Sequence, residues 1–253
     1  MKKRLIVLPV VSFLLLTIVY FGFSMPSKNQ PAPLNAVKGF ALVELFTSEG
    51  CSSCPPADKA LEALSKQHPS NVFVLAFHVD YWNYLGWKDE FSTAANTRRQ
   101  QQYASTLQLN SIYTPQAIVN GTSEFTGSDE TTLNNTVEKE LEAPAANTVV
   151  LVAKKGAPHE VNISYQTDAG KNEVVCIALV QLEATSAVKR GENTGKLLHH
   201  VNVVRDFTSS GKNSGTVSLA IPGNLSANDL KIIAFVQNTT SMRITAAAAT
   251  SIQ

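Results

Sequence analysis

Gly39-Phe-Ala-Leu-Val-Glu-Leu-Phe-Thr47 leads directly into Ser48-Glu-Gly-Cys-Ser-Ser-Cys54 and then into Pro55-Pro-Ala-Asp58. The apolar run predicts a buried strand, and the prolines predict the start of a helix, because a helix tolerates proline in its first turn. Cys51 and Cys54 therefore lie between a strand and a helix. A helix N-terminus stabilises a thiolate, and a cysteine three residues further on lies about one turn away. This arrangement indicates reversible thiol–disulfide exchange.

Helices and strands are predicted to alternate as far as residue 143. Apolar residues fall on one side of a helix over 55–68, and residues 72–77 form a continuous apolar strand. Two such strands joined by a helix are typical of a parallel βαβ unit with both faces covered. The further predictions are an aromatic loop over 81–90, a helix over 91–107, a hairpin turning at Asn120-Gly121, and a helix over 129–142 capped by Ser128.

The pattern changes after Ala143-Pro-Ala145 to strands without helices. Turns rich in Gly, Asn, Asp and Lys separate the runs, which is typical of an antiparallel sandwich or sheet. The predicted strands are 147–154, 159–166, 173–183, 197–206, 216–221, 230–237 and 242–249. We therefore predict an α/β domain over 39–143, followed by a β-rich, sandwich-like domain over 145–253.

The N-terminal residues have the pattern of an export segment. Lys2-Lys3-Arg4 precedes an apolar run, and Gly22-Phe-Ser24 offers small residues for cleavage. Residues 1–24 are therefore either a signal peptide or an uncleaved membrane anchor, and residues 25–38 are a linker. The remainder is expected in the periplasm or anchored to the membrane, facing outside the cytoplasm. A formal net charge of +1 predicts no nucleic-acid partner.

Export affects how the cysteine pair is interpreted. In an oxidising compartment two cysteines usually form a structural disulfide. A bridge between Cys51 and Cys54 closes almost no loop, and so removes little freedom from the unfolded chain. Their spacing therefore favours a redox-active dithiol over a structural disulfide.

The order β-α-β, Thr-Pro, β-hairpin and α resembles the thioredoxin fold, with residues 81–110 as an insert. In that fold a cis-proline faces the Cys-x-x-Cys, and Thr114-Pro115 occupies its place here. The resemblance implies that Pro115 and the backbone of Thr114 hold a substrate strand and keep metals from the thiols. It also implies a buried acid beneath the second cysteine. Glu44 matches that acid, as a proton relay for Cys54; the alternative is a glutamate at a strand end that is simply paired or solvated.

Longer motifs point to one particular family among thioredoxin-like proteins. The chain resembles the secreted, thioredoxin-like bacterial family catalogued as domain of unknown function 1223 in segments 44–58, 76–82, 85–89, 113–116, 191–196 and 198–204. The resemblance implies a thioredoxin-like domain followed by a β-rich C-terminal part. It also makes the Gly191-Glu-Asn-Thr-Gly195 turn a candidate neighbour of the dithiol.

We therefore predict an exported thiol–disulfide oxidoreductase that uses no cofactor and no bound metal. Cys51 reacts with a protein thiol, a small thiol or a redox partner protein, and Cys54 resolves the mixed disulfide. His78 and Asp80 follow the second strand, where loops line the crevice of open α/β sheets. They either tune Cys51 or belong to an insert that packs its aromatic residues locally.

Two other functions stay open at this stage. A Cu(I)-binding module would use Cys51, Cys54 and His78, because thiolates favour that ion. A non-catalytic adhesion or assembly module would bind through the β-rich domain. The sequence leaves open whether the dithiol oxidises, reduces or isomerises its substrates.

Two features of the predicted β-rich part concern single side chains. Cys176 lies in an apolar strand, so we predict a small buried hydrophobe. His199 and His200 are neighbours in a predicted strand, so their side chains point to opposite faces.

Overall fold

The computed structural model describes residues 39–253, which belong to one compact unit. The predicted signal or anchor (1–24) and linker (25–38) lie outside the described residues. The helices are α1 (Pro55–Gln67), α2 (Ala94–Thr106) and α3 (Glu130–Glu142). The strands are β1 (Ala41–Thr47), β2 (Val72–His78), β3 (Gln116–Val119), β4 (Ser123–Thr126), β5 (Val149–Lys155), β6 (Glu160–Thr167), β7 (Glu173–Ala187), β8 (Leu197–Ser210), β9 (Ser214–Ala220), β10 (Leu230–Asn238) and β11 (Ile244–Ser251).

Local patterns predicted the first half of this order correctly. β1 and β2 are parallel and are joined by α1. β3 and β4 form the hairpin, with Asn120 and Gly121 in its turn, both at positive φ. The cap of α3 differs from the prediction: Asp129, not Ser128, accepts the Thr132 N–H.

The predicted fold class, a thioredoxin-like domain followed by a separate β-rich domain, is wrong. Strands from both halves form one eight-stranded mixed sheet in the order β11-β10-β7-β8-β2-β1-β3-β4. The junction is a parallel pairing of β8 with β2, at Val203 and Ala76. The strands of the second half were predicted near their observed positions, but four of them (β7, β8, β10 and β11) extend the first sheet. The remaining three strands form a second sheet, β5-β6-β9.

Each face of the large sheet buries its own core. Val43 and Leu45 of β1 pack with apolar residues of α1 and α3, whereas Leu42 and Phe46 pack on the opposite face with Tyr103 of α2. This alternation along a strand places Glu44, between Val43 and Leu45, on the α2 face. The β5-β6-β9 sheet packs against β7 and β10 through a third core. Within residues 39–253, no helix has the length and apolar character needed to cross a bilayer.

Candidate functional site

Cys51 and Cys54 form a disulfide at the start of α1. Their Cα atoms lie 5.5 Å apart, and Cys54 is the N-cap residue of the helix. Both cysteines are closed off from solvent, with 0% and 1% of their surface exposed. The two residues between them, Ser52 and Ser53, are exposed. The disulfide is therefore closed to solvent, whereas the two residues between its cysteines are open to it.

The turn between β7 and β8 bonds to the backbone of the loop that carries this disulfide. The Asn193 side chain, itself fully buried, donates to the backbone oxygens of Glu49 (2.8 Å) and Cys51 (2.9 Å). The Glu192 carboxylate accepts the Ser52 N–H at 3.0 Å, and its hydrogen bonds from Ser52 hold the pKa of Glu192 below its ordinary value. The Gly191–Gly195 turn therefore lies against the dithiol, as the family resemblance suggested.

Thr114 and Pro115 lie close to the first turn of α1. The peptide bond between them is cis, as predicted. A Cβ added to Gly127 would lie 3.3 Å from the Ala57 Cβ and 3.4 Å from the Pro115 Cβ, so Pro115 is close to α1. The Trp82 indole N–H donates to the Thr114 hydroxyl at 2.8 Å. The aromatic loop and the Thr-Pro segment are thereby joined beside the cysteines.

Glu44 is not placed beneath Cys54. Its carboxylate accepts bonds from Arg99 Nε (2.5 Å) and Arg99 Nη2 (2.8 Å), and from the Tyr103 hydroxyl. The guanidinium is enclosed by the rings of Phe77, Tyr103, Phe207 and Phe235, with centroids 4.8–5.5 Å away. Burial lowers the pKa of Arg99, but Glu44 more than offsets this and raises it. The contacts of Glu44 are those of a buried ion pair on the face opposite α1.

A cluster of buried ionisable residues near the disulfide was missed by the sequence analysis. His200 of β8 bonds Asp58 of α1 through Nδ1 (3.1 Å), and its Nε2 lies 3.7 Å from Glu49 Oε1. His78 at the end of β2 bonds Asp89 through Nδ1 (2.6 Å). The two imidazole rings meet edge to face, 4.8 Å apart. We call these five residues the His–carboxylate cluster.

Contacts within this cluster shift the pKa values of His200 and Asp89. Burial lowers the pKa of His200, but its contacts with Asp58 and Glu49 outweigh burial and raise the pKa to about 9. Burial raises the pKa of Asp89, but His78 and the backbone N–H groups of Glu49 and Phe91 outweigh it and lower the pKa. His200 is therefore a buried cation at neutral pH.

The two candidate tuning residues, His78 and Asp80, have separate surroundings. His78 belongs to the His–carboxylate cluster. Asp80 accepts a bond from the Thr97 hydroxyl at 2.6 Å and so ties the loop after β2 to α2. Trp87, from the same aromatic insert, donates to Glu49 Oε2 at 2.6 Å. The insert thus contacts the cluster, while Tyr81 and Trp82 pack against the core on the α2 face of the sheet.

Cys176 is a buried free cysteine in β7, as predicted. Burial raises the pKa of its thiol to about 12, with Arg99 opposing and Glu44 reinforcing the shift. Within residues 39–253, no group of three or more His, Cys, Asp or Glu side chains is arranged to hold a metal ion.

Comparison with known proteins identifies the family to which this chain belongs. Residues 42–237 match the model of the family described as a protein of unknown function (DUF1223), and the chain belongs to this family. An X-ray crystal structure of an Agrobacterium tumefaciens protein is similar, with 32% sequence identity and a TM-score of 0.61. The similarity covers 83% of this chain and 92% of that chain. A search of curated proteins finds no match.

Proposed function

We propose that the protein is a thiol–disulfide oxidoreductase acting through Cys51 and Cys54 on protein or small thiol substrates. The observation that carries this proposal is the disulfide between residues three apart at the start of α1. By the chain-entropy account, so short a ring stabilises the fold little. Asn193 already holds this loop through two hydrogen bonds. The disulfide therefore contributes little to the stability of the fold, and a role in thiol–disulfide exchange explains it better.

The reaction begins when a substrate thiolate attacks Cys51 Sγ. A bond forms between the substrate sulfur and Cys51, the Cys51–Cys54 bond breaks, and its electron pair leaves on Cys54 Sγ. The positive end of the α1 dipole favours this developing charge. A second thiol of the substrate then releases the product disulfide and leaves both cysteines reduced. The reverse sequence reduces a substrate disulfide.

Access to Cys51 requires the Gly191–Gly195 turn to move. Asn193 and Glu192 bond to the backbone on both sides of Cys51, and the cysteine itself is fully buried. A substrate that displaces these side chains can replace them with its own polar groups. The turn thus limits which thiols react.

The proposed location is outside the cytoplasm, either periplasmic or membrane-anchored. This part of the proposal is supported by the sequence of the export segment, Lys2-Lys3-Arg4 followed by an apolar run. In that setting the partners would be protein thiols or a redox partner protein.

A trapping experiment tests the proposed reaction. In Cys54→Ser the resolving thiol is missing, so mixed disulfides through Cys51 should accumulate in cell extracts and run as reducible adducts on non-reducing gels. Cys51→Ser, which keeps one thiol at the same helix start, is the matched control. Equal trapping by the two variants would rule out attack through Cys51.

A further inference from the structure

A groove of about 430 Å³ lies between α1 and the start of β8. One wall is formed by side chains from the first two turns of α1, between Pro55 and Glu62. The other wall is formed by the residues from Lys196 to His199. Pro55 directly follows Cys54 in the chain. One end of the groove is therefore a single residue away from the disulfide.

The second wall is connected to the loop that carries Cys51. Lys196 Nζ donates to Asn193 Oδ1 at 2.8 Å, and the Asn193 amide nitrogen donates to the Cys51 carbonyl oxygen at 2.9 Å. Access to Cys51 requires the Gly191–Gly195 turn to move. A molecule that binds Lys196 therefore engages the segment that has to open before the disulfide can react.

The unpaired charges of the groove and of the adjoining turn are positive. Asp58 bonds to His200, Glu62 forms an ion pair with Lys66 at 2.5 Å, and Glu192 accepts a backbone N–H. Within residues 39–253, four exposed cations of this region have no carboxylate within ion-pair distance: Lys59, Lys189, Arg190 and Lys196. This charge pattern is complementary to a negatively charged molecule.

The groove also offers apolar surface and length. Leu197 lines it and is 73% exposed, so a bound chain could remove this side chain from water. The stretch of α1 from Pro55 to Glu62 rises about 10 Å, at 1.5 Å per residue. An extended chain covers that distance with about three residues. These dimensions fit a polypeptide segment better than a small thiol.

Resting on the proposed exchange reaction, we propose that this groove binds a polypeptide segment in which acidic residues and an apolar residue flank the substrate cysteine. The carboxylates of the segment pair with Lys59 and Lys196, its apolar side chain covers Leu197, and its cysteine lies at the start of α1. Exposed ion pairs are individually weak, so their main effect is to raise the rate of encounter with acidic substrates. The groove thereby selects among protein thiols.

Three peptides of equal length test this inference. Each contains two cysteines and a leucine, and the flanking residues are all Glu, all Gln or all Lys. The peptides reduce the oxidised full-length protein in a buffer of about 0.01 M ionic strength, and alkylation follows the appearance of protein thiols. Rates are divided by thiolate concentration, because acidic neighbours raise the pKa of a thiol. We expect the Glu peptide to react about tenfold faster than the Gln peptide, the Lys peptide to be slowest, and about 1 M salt to abolish the differences.

Charge reversal locates the effect in the groove. Lys59→Glu/Lys196→Glu should reverse the order of the peptides. The matched control is Lys171→Glu/Lys212→Glu, which changes the net charge equally. Lys171 and Lys212 lie beyond the opposite ends of β7 and β8, so this variant should keep the wild-type order.

Equal rates for the three peptides, or a preference that Lys59→Glu/Lys196→Glu retains, would overturn the inference. If that variant does not fold, the peptide order of the wild type and its salt dependence decide. Dimercaptosuccinate, a small dithiol with two carboxylates, would overturn the polypeptide as the occupant if it reacted as fast as the Glu peptide. The exchange reaction itself fails on a different result, a potential below about −300 mV, which is measured separately.

Discussion

Arg99→Met is expected to lower the free energy of unfolding by about 3–5 kcal/mol, the usual cost of removing one partner of a buried ion pair. The reason is that Glu44, fully buried, would lose the guanidinium with which it pairs. The substitution also removes the cation from the four surrounding rings and two bonds to Gln237 Oε1. Urea unfolding of the oxidised protein, followed by circular dichroism, measures the change.

Two further variants test whether the loss of stability comes from the broken ion pair. Arg98→Met changes the exposed neighbouring arginine of α2 and should shift stability by no more than about 0.5 kcal/mol. Glu44→Gln/Arg99→Met removes both charges and should be more stable than Arg99→Met alone. A double variant no more stable than Arg99→Met would show that the loss arises from packing and not from the unpaired carboxylate.

The second large effect is a loss of stability as the pH rises from about 6.5 to about 9. The folded protein holds the His200 proton up to about pH 9, whereas the unfolded chain releases it near the ordinary value of 6.5. The stabilisation is therefore complete below pH 6.5 and is lost as the pH passes through 9. At about 1.4 kcal/mol per pH unit, the decrease amounts to about 3 kcal/mol.

The variants of the two adjacent histidines separate this effect from other titrations. In His200→Gln the decrease between pH 6.5 and 9 should be largely absent, while His199→Gln should retain it. Unfolding free energies measured in urea at half-unit pH steps show the difference. A wild-type curve that is flat over this range would contradict a charged His200 in the folded protein.

Local sequence patterns were sufficient to predict the helices and strands of the first half of the chain. The apolar run of β1, the prolines of α1 and the Asn120-Gly121 turn each act over a few residues, so they could be recognised without the fold. The opposite faces of His199 and His200 followed from strand geometry in the same way, since His199 is exposed and His200 buried.

No local sequence pattern indicated that the strands of the two halves join in one sheet. The β2–β8 pairing depends on backbone groups far apart in the chain, and a strand that extends a sheet has the same pattern as one in a separate sandwich. The consequence for the site was direct. Asp58 resembles an ordinary acid in the first turn of a helix, and only its contact with His200, 142 positions away, shows its place in the cluster. Glu44 was misplaced because the insert supplied Arg99 as its partner.

The reduction potential of Cys51–Cys54 tests the central claim most directly. The full-length protein is equilibrated in glutathione buffers, and the thiol state is read from the mass shift on alkylation. A catalyst of thiol–disulfide exchange is expected to have a potential between about −120 and −270 mV. A potential below about −300 mV would mark a structural disulfide and contradict the proposed function.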